Sequence, residues 1–379
     1  MPENKHPAGK SLLRPPGLAG QDFSEHEIRA AADSARLLTV ELEMTNACNL
    51  RCIYCYADAG ESRRDEMTRS EISSALRQAA DAGARRVVIL GGGEPLVYGD
   101  FNSLVDEIIG LGLSVSVFTN GTLITPSVAR FLYERRVTVV IKRNSLRDDV
   151  QDRLAGVPGA SLLISAGLSA LIAAGYPGEE AVLGIQTVIC SDNLPEIEQL
   201  WRWARDRRIQ PYFESLTMQG RAQGSHLQLS SGEIRKIFER LSSIDAQEYG
   251  IQWTPRPPIA GASCRRHLYS VLIKANGDIC PCVGVNIPVG NIRTARLADV
   301  LKDSSVLQDL RGVYARIKEP CRSCDQLGEC YGCRGNAYQL TGDYLAGDPD
   351  CWRLRAAQAE DHRELSLGKT QDTADIREY

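Results

Sequence analysis

The feature that most constrains the fold of this chain is a regular alternation of short β-rich segments with helical segments. Six segments rich in Val, Ile, Thr and aromatic residues follow one another with room for a helix between each pair. Consecutive strand–helix–strand units form parallel sheets with right-handed connections, and ligand-binding groups then lie on loops after the carboxyl ends of the strands. The predicted strands span residues 37–44, 85–90, 114–119, 137–142, 182–189 and 209–214.

The segments between these strands carry apolar residues at helical spacing. The six units therefore predict an α/β fold class, with a partial barrel or an open parallel sheet. Two stripes are explicit, Ile72, Ala75, Leu76 and Ala79 in the first and Phe101, Leu104, Val105, Ile108 and Ile109 in the second, and further helices are predicted near 126–135, 160–174, 195–206 and 230–241.

The alternation stops after residue 230, and the composition of the chain changes there. A Pro-rich connector, TPRPPIAGA, leads into a region dominated by cysteine, glycine and turn residues. The sequence thus predicts a small Cys-rich C-terminal domain after the α/β domain. The predicted divisions are an N-terminal extension at 1–36, the partial barrel at 37–229, a helix and linker at 230–262, the Cys-rich domain at 263–360 and a polar tail at 361–379.

Charge and hydropathy exclude several classes of protein. The 379 residues include 44 Lys and Arg against 48 Asp and Glu, a formal net charge of -4 without a long block of one sign. Nucleic acid and membrane surfaces are therefore not predicted as partners. The first residues lack the apolar stretch of a signal peptide, and no run reaches the roughly 18 apolar residues of a membrane span. We expect a cytoplasmic protein.

The 12 cysteines are unevenly distributed. In a reducing compartment they do not form a disulfide framework, and such clustering indicates metal binding. Three of them, Cys48, Cys52 and Cys55, share one loop directly after the first predicted strand. Three thiolates on a compact loop can hold one iron–sulfur cube and leave one iron open for a substrate. Zinc is the alternative, but zinc sites usually take pairs of cysteines from separated segments.

The spacing of this loop, C-x3-C-x-aromatic-C with Tyr54 as the aromatic residue, resembles the signature of the radical S-adenosylmethionine (SAM) enzymes. The resemblance implies a four-iron cluster whose open iron is chelated by the amino and carboxylate groups of SAM, with Tyr54 beside the adenine. It implies reductive cleavage of SAM to methionine and a 5′-deoxyadenosyl radical, which takes a hydrogen atom from the substrate. It also implies a parallel barrel of six βα units, in agreement with the alternation, and an external one-electron donor such as flavodoxin or ferredoxin.

Three further segments at the ends of predicted strands resemble family motifs. Residues 92–95 resemble the GGEP motif, whose backbone and glutamate hold the methionine ammonium. Asn120 lies in a segment that recurs in the family after strand three, although a tight turn is an alternative interpretation. Arg221 follows strand six in a stretch whose arginine approaches the cofactor carboxylate, with a surface salt bridge as the alternative. The cofactor-binding residues implied by the resemblance are Tyr54, Gly92, Gly93, Glu94, Asn120 and Arg221.

The fourth predicted strand departs from the family pattern. Many relatives end this strand in a Ser-rich turn, S-x-D-G, whereas residues 141–145 of this chain read IKRNS. If the strand register holds, Lys142 points toward the site and can bind a substrate carboxylate or phosphate; a solvated strand end is the alternative. Cys190, at the end of the fifth strand, is expected to be a small core residue. The sequence assigns no catalytic side chain.

The remaining eight cysteines lie between residues 264 and 351 and match the ligand count of two fully coordinated four-iron clusters. Their spacing resembles the SPASM extension of radical SAM proteins, which houses auxiliary clusters. A zinc ribbon formed by the two C-x2-C pairs is the alternative. Val283 occupies the place of the aspartate base of anaerobic sulfatase maturases, which disfavours that activity. The resemblance assigns Cys264, Cys282 and Cys333 to the first auxiliary cluster, with Cys280 available to complete it, and Cys321, Cys324, Cys330 and Cys351 to the second.

The sequence predicts a redox enzyme that starts radical chemistry with SAM. The resemblance favours modification of a ribosomally made peptide or protein by crosslinking, epimerisation or oxidation, in natural product biosynthesis. The alternative is a dehydrogenase or epimerase of a small molecule such as an aminoglycoside or sugar intermediate. Only about 36 residues precede the first predicted strand, too few for the leader-binding domain of many peptide-modifying relatives. A non-catalytic iron–sulfur electron carrier is the third hypothesis, against which Glu94 and its preceding glycines argue.

Overall fold

The computed structural model describes residues 23–353 and confirms the α/β fold with a Cys-rich C-terminal part. Six parallel strands alternate with helices along the chain, as the sequence predicts. The predicted tail at 361–379 lies outside the described residues, as does most of the predicted extension at 1–36. The strands are β1 (Thr39–Thr45), β2 (Arg86–Gly92), β3 (Ser114–Thr119), β4 (Thr138–Lys142), β5 (Leu183–Ile189), β6 (Gln210–Ser215), β7 (Ser270–Ile273), β8 (Asp278–Cys280) and β9 (Gly290–Asn291).

Helices follow most of the predicted apolar stripes. Ile109 is the exception within the second stripe: it is 37% exposed, because it lies at the edge of a helical face whose other predicted residues are buried. Helix α5 was not predicted from the apolar pattern. The helices are α1 (Glu25–Asp33), α2 (Arg69–Asp81), α3 (Phe101–Gly110), α4 (Pro126–Glu134), α5 (Asp148–Ala155), α6 (Ala160–Ala174), α7 (Ile197–Asp206), α8 (Ser231–Ile244), α9 (Leu297–Asp303), α10 (Ser305–Arg311), α11 (Val313–Arg316) and α12 (Arg334–Thr341).

Within residues 23–353, no single helix has the length and apolarity needed to cross a membrane. Helices α5 and α6 meet that requirement only when they are taken together, and their axes are bent by 102° at the break between them.

One sheet joins the two cysteine-rich regions of the chain. Its strand order is β6-β5-β4-β3-β2-β1-β7-β8-β9. Strand β7 belongs to the C-terminal part, yet it pairs in parallel with β1, and β8 and β9 then extend the sheet in antiparallel fashion. The strand that leads into the three-cysteine loop is therefore the direct neighbour of the first C-terminal strand.

The two faces of the sheet differ in polarity. Leu42 of β1 belongs to the large apolar core between the sheet and the helices. Glu41 and Glu43 point the opposite way, because side chains alternate along a strand, and they lie in register with Val88 and Leu90 of β2. Both glutamates are buried. The face of the sheet turned away from this core thus carries buried charged groups on β1, the strand that leads into the predicted site.

The loop after β1 docks on the end of α5. Arg51 N donates to Ala155 O at 3.0 Å, and Ile53 N donates to Leu154 O at 3.1 Å. The last carbonyl groups of a helix have no partner within the helix, so the loop satisfies them. The helix ends at Gly156, whose φ of 69° is left-handed and favours glycine. The end of α5 therefore holds the backbone of the predicted metal-binding loop.

Gly156→Ala should detach this loop. A Cβ at Gly156 would lie 2.2 Å from Arg51 O, and the left-handed backbone alone costs a non-glycine residue about 1–2 kcal/mol. Gly159→Ala is the matched control, because Gly159 has a φ of 80° and no atom within 4 Å of its Cβ position. We expect a larger loss of unfolding free energy in urea, and a larger loss of bound iron, for Gly156→Ala. Equal losses in the two variants would contradict this role.

Candidate functional site

The three predicted thiols of the cysteine loop, residues 48–55, are free and half-buried. Backbone amides point at two of the sulfurs: Leu50 N lies 3.4 Å from Cys48 Sγ, and Ala59 N lies 3.5 Å from Cys55 Sγ. Burial raises the pKa of the Cys48 thiol to about 11. The thiolate that ligates iron therefore forms here when a metal supplies the compensating positive charge.

Arg221, which follows β6, braces the cysteine loop from another side. Its Nε donates to Cys52 O at 2.9 Å, its Nη1 donates to Ala59 O at 2.9 Å, and the guanidinium forms an ion pair with Asp58 at 2.7 Å. Gly220 precedes it with a φ of 59°, and a Cβ there would lie 2.4 Å from a carbonyl oxygen of the loop. The structure thus brings Arg221 to the predicted site, in contact with the protein loop.

The glycines after β2 lie against the start of the cysteine loop. Gly93 N donates to Thr45 O at 2.7 Å, and Glu94 N donates to Ala47 O at 2.8 Å. A Cβ at Gly93 would lie 1.9 Å from Ala47 O, and Gly92 has a φ of 65°. Glycine is therefore required here because two backbone segments approach each other closely.

Glu94 connects the ends of β2 and β3. Its buried carboxylate accepts hydrogen bonds from Thr119 Oγ1 at 2.6 Å and Asn120 N at 2.7 Å. Burial raises the pKa of Glu94, and these two hydrogen bonds oppose the rise. Asn120 in turn donates from Nδ2 to Asn49 Oδ1 in the cysteine loop at 2.8 Å. The structure therefore brings Glu94 and Asn120 together beside the loop, and their role in binding the cofactor stays a prediction.

Residues at the end of β4 hold Tyr54. Asn144 Nδ2 donates to the Tyr54 hydroxyl at 2.6 Å, and Lys142 Nζ lies 5.1 Å from the Tyr54 ring centroid. Lys142 pairs with Gln186 in the sheet and lies in the site, as its register predicts. Burial lowers the pKa of Lys142, and the neighbouring Glu214 opposes that shift. The sequence analysis did not identify Asn144 as a site residue. Its position could have indicated this role, because it is a polar residue where relatives have the S-x-D-G turn.

Cys190 lies directly after β5 in an apolar cluster with Val150, Leu154 and Val188. Its side chain is buried, and burial raises the pKa of its thiol. This is the core environment expected of a cysteine that packs as a small apolar residue.

The three cysteines predicted for the first auxiliary cluster come from three segments: Cys264 before β7, Cys282 after β8 and Cys333 at the start of α12. Burial raises the pKa of Cys282 to about 12, and the charge of Cys264 adds to the rise. Burial and Asp348 raise the pKa of Cys333, with further contributions from Cys264 and Cys282. Thiols that perturb one another's ionisation lie close together. The three thiols are therefore near enough for their charges to interact, and their assignment to one cluster stays a prediction.

Cys280, the thiol available to complete this set, is placed differently. It lies opposite Leu272 of β7, which in turn lies in register with Glu41 of β1. Burial raises the pKa of Cys280 to about 12, and the charges of Lys274 and Glu43 act on it more strongly than that of Cys282. Cys280 as the fourth ligand of the first auxiliary cluster therefore stays a prediction.

The four cysteines predicted for the second auxiliary cluster line one small cavity of about 30 Å³. Burial raises the pKa of the Cys330 thiol, and the charge of Cys321 adds to the rise. None of the cysteines of the first set lines this cavity within the described part of the chain. The members of this second set are Cys321, Cys324, Cys330 and Cys351.

The surroundings of the first set fit an anionic group. Arg334 directly follows Cys333 and is 1% exposed, yet its Nε and Nη2 have no hydrogen-bond partner among residues 23–353. Its Nη1 donates to the backbone carbonyl groups of Tyr344 and Ala346. Buried N–H groups without acceptors, such as those on Nε and Nη2, are costly, and the sulfur atoms of an iron–sulfur cluster are suitable acceptors. The described residues hold no group of three or more His, Cys, Asp or Glu side chains placed for a single metal ion. A multi-iron cluster, with a separate iron for each thiolate, does not need that convergence.

Two family profiles match the chain. The radical SAM superfamily profile covers residues 42–204, and the profile of the SPASM iron–sulfur cluster-binding domain covers residues 264–325.

Three relatives match most of the chain. An AdoMet-dependent heme synthase of Methanosarcina barkeri is 28% identical over 85% of this chain and 97% of its own length. A PqqA peptide cyclase of Streptomyces rochei is 28% identical over 82% of this chain and 88% of its own length. The mycofactocin maturase MftC of Mycobacterium tuberculosis is 27% identical over 82% of this chain and 81% of its own length.

Solved structures share the fold. Streptococcus suis SuiB bound to S-adenosylmethionine superposes with a TM-score of 0.66 at 22% identity, over 84% of this chain and 78% of that chain. Native anSMEcpe with bound AdoMet superposes with a TM-score of 0.62 at 14% identity, over 88% and 99% of the two chains. The chain belongs to the radical SAM superfamily: it is an enzyme whose radical SAM domain binds a four-iron cluster and SAM and whose SPASM domain binds auxiliary iron–sulfur clusters.

Proposed function

We propose that this enzyme modifies a ribosomally made peptide or protein. The observation that carries the proposal is a cavity of about 190 Å³, here called the central cavity, between the cysteine loop and the SPASM part. Tyr56, directly after Cys55, lines it on one side, and Val283, directly after Cys282, lines it on the other. A substrate group in this cavity would lie between the SAM-cleaving loop and the first auxiliary set.

The size of the central cavity favours a large substrate that inserts one group. Pockets that enclose a whole small ligand measure about 300–1,000 Å³, and the central cavity is smaller. Its wall carries both signs of charge, with Glu43 accepting from the Tyr56 hydroxyl at 3.0 Å and with Arg63 and Lys274 nearby. Such a lining suits one polar side chain and the adjoining backbone of a peptide.

We propose that Cys48, Cys52 and Cys55 hold the cluster that binds SAM, while the two SPASM sets hold one auxiliary cluster each. When bound, the first cluster supplies the electron that cleaves SAM to methionine and a 5′-deoxyadenosyl radical. The chain's own residues orient the site: Tyr54 packs beside the adenine, and Lys142 supplies a positive charge above the Tyr54 ring. An external donor such as flavodoxin or ferredoxin delivers the electron.

The likeness to the heme synthases gives a second candidate function, which rests on the 97% of the Methanosarcina protein that this chain covers. A tetrapyrrole substrate would then replace the peptide. The small-molecule alternative involving an aminoglycoside or sugar is not favoured by the relatives, and the electron-carrier alternative does not apply to an enzyme.

Replacing Cys48, Cys52 and Cys55 together by Ala should abolish release of 5′-deoxyadenosine from SAM under a strong reductant. It should also remove about a third of the roughly 12 iron atoms that three four-iron clusters contain. Cys190→Ala is the matched control, because Cys190 is a buried cysteine outside the three sets; it should retain full iron and activity. Release that survives the triple substitution would refute the assignment of the cysteine loop.

Lys274→Gln should uncouple SAM cleavage from substrate modification. Loss of a hydrogen bond to a charged group is worth about 1.5–3 kcal/mol, so modification should fall about ten- to hundredfold while 5′-deoxyadenosine release persists. The substrates to compare are a short peptide encoded beside the gene and an iron-containing tetrapyrrole, followed by mass spectrometry. Lys236→Gln, on the exposed face of α8, is the control. Unchanged modification in Lys274→Gln would exclude the central cavity as the substrate site, and conversion of the tetrapyrrole alone would select the second candidate.

A further inference from the structure

We propose that His267 and Tyr331 form a hydrogen-bonded pair that stabilises the reduced state of the first auxiliary cluster through the Cys282 sulfur. The proposal rests on the assignment of Cys264, Cys282 and Cys333 to that cluster, and it is independent of the substrate. Both residues are positioning groups outside the three cysteine sets.

The pair is buried and aligned on the sulfur. His267 Nε2 lies 3.2 Å from Cys282 Sγ, and the Tyr331 hydroxyl lies 3.4 Å from His267 Nδ1. The exposed fractions of His267, Cys282 and Tyr331 are 5%, 5% and 2%. His267 follows Cys264 by three residues, and Tyr331 lies between Cys330 and Cys333. Each cysteine-rich segment of the SPASM part thus contributes one member of the pair.

The chemistry of the cysteine fixes the direction of the first hydrogen bond, and the neutral form of the imidazole fixes the second. A cysteine bound to iron is a thiolate and has no proton to donate, so its sulfur only accepts. His267 Nε2 must then carry the proton and donate it. In a neutral imidazole the other nitrogen is an acceptor, so the Tyr331 hydroxyl donates to His267 Nδ1. Such a second partner is how proteins fix the tautomer of a histidine near a metal.

A donor on the ligand sulfur has a predictable effect on the potential. Reduction adds one electron, and thus one negative charge, without making or breaking a covalent bond. The partial positive charge of the Nε2 proton stabilises that extra charge, and hydrogen bonds to sulfur are among the factors that set these potentials. Burial strengthens the effect because water does not compete at the sulfur. His267 therefore raises the reduction potential of the cluster relative to a site without the donor.

Simple packing is the competing explanation. The Tyr331 ring lies 5.6 Å from the Tyr314 ring and 5.9 Å from the His267 ring, so the three form an aromatic cluster. Packing explains the positions of the rings, but it does not require the Tyr331 hydroxyl or the nitrogens of the His267 ring. Variants that keep the ring or the donor separate the two explanations.

The test is an EPR-monitored redox titration with dithionite, on the full chain that carries Ala at Cys48, Cys52 and Cys55. In this background only the auxiliary clusters remain, so the outcome does not depend on SAM cleavage or on the substrate. His267→Leu should lower the midpoint potential of one cluster and leave about eight iron atoms per chain. Tyr331→Phe should lower the midpoint potential by less than His267→Leu does. His267→Gln should also lower it by less, because its side-chain amide N–H can donate to the sulfur. Tyr314→Phe should leave the midpoint potential unchanged.

Two results would overturn the proposal. An unchanged midpoint potential in both His267→Leu and Tyr331→Phe, with iron retained, would show that these residues serve only to pack the SPASM part. Loss of about four iron atoms in His267→Leu and His267→Gln, but not in Tyr331→Phe, would make His267 a cluster ligand instead. If His267→Leu does not fold, the midpoint potentials of His267→Gln and Tyr331→Phe are compared with that of Tyr314→Phe. Equal potentials in all three variants would overturn the proposal.

Discussion

The hydrogen bonds that hold the backbone of the cysteine loop are the interaction on which the rest of the site depends. Amide groups of the loop satisfy the last carbonyl groups of α5, and amides of the Gly-Gly-Glu segment donate to the start of the loop. Arg221 donates to the carbonyl group of Cys52 in the loop and to that of Ala59 just after it. These contacts use main-chain atoms of the loop, so they fix its path and leave its three thiols free. Three thiols fixed on one loop are what a cluster with an open iron requires.

The single sheet explains how one enzyme can unite two cysteine-rich regions. Strand β1 leads into the cysteine loop, and its neighbour β7 leads toward β8 and the first auxiliary set. The same face of the sheet carries the buried Glu43 and the partly buried Lys142 and Lys274. Charged groups are costly in an apolar core, and they concentrate where a ligand or a reaction needs them. The fold thus places the polar wall of the central cavity between the two metal-binding regions.

Local patterns made much of this arrangement predictable. Strand–helix alternation predicted β1–β6, and the resemblance of the cysteine spacing to family patterns assigned the thiols to three sets. Helix α5 was missed because its sequence, DDVQDRLA, is mostly polar and its burial depends on contact with the cysteine loop. Asn144 and His267 were missed for a related reason. Their partners, Tyr54 and Cys282, are 90 and 15 residues away in the sequence. Helix and strand periodicity cannot predict contacts over such separations. Pairing of β7 with β1 is a tertiary effect of the same kind.

We propose that Cys48, Cys52 and Cys55 hold a cluster whose open iron binds the amino group of SAM. Electron–nuclear double resonance of the reduced protein, with SAM labelled by ¹⁵N in that group, tests it most directly. We expect a ¹⁵N coupling to a cluster in the unchanged chain and none once those three cysteines are replaced by Ala. A coupling that persists in the triple variant, or one that is absent from the unchanged chain when SAM is bound, would contradict it.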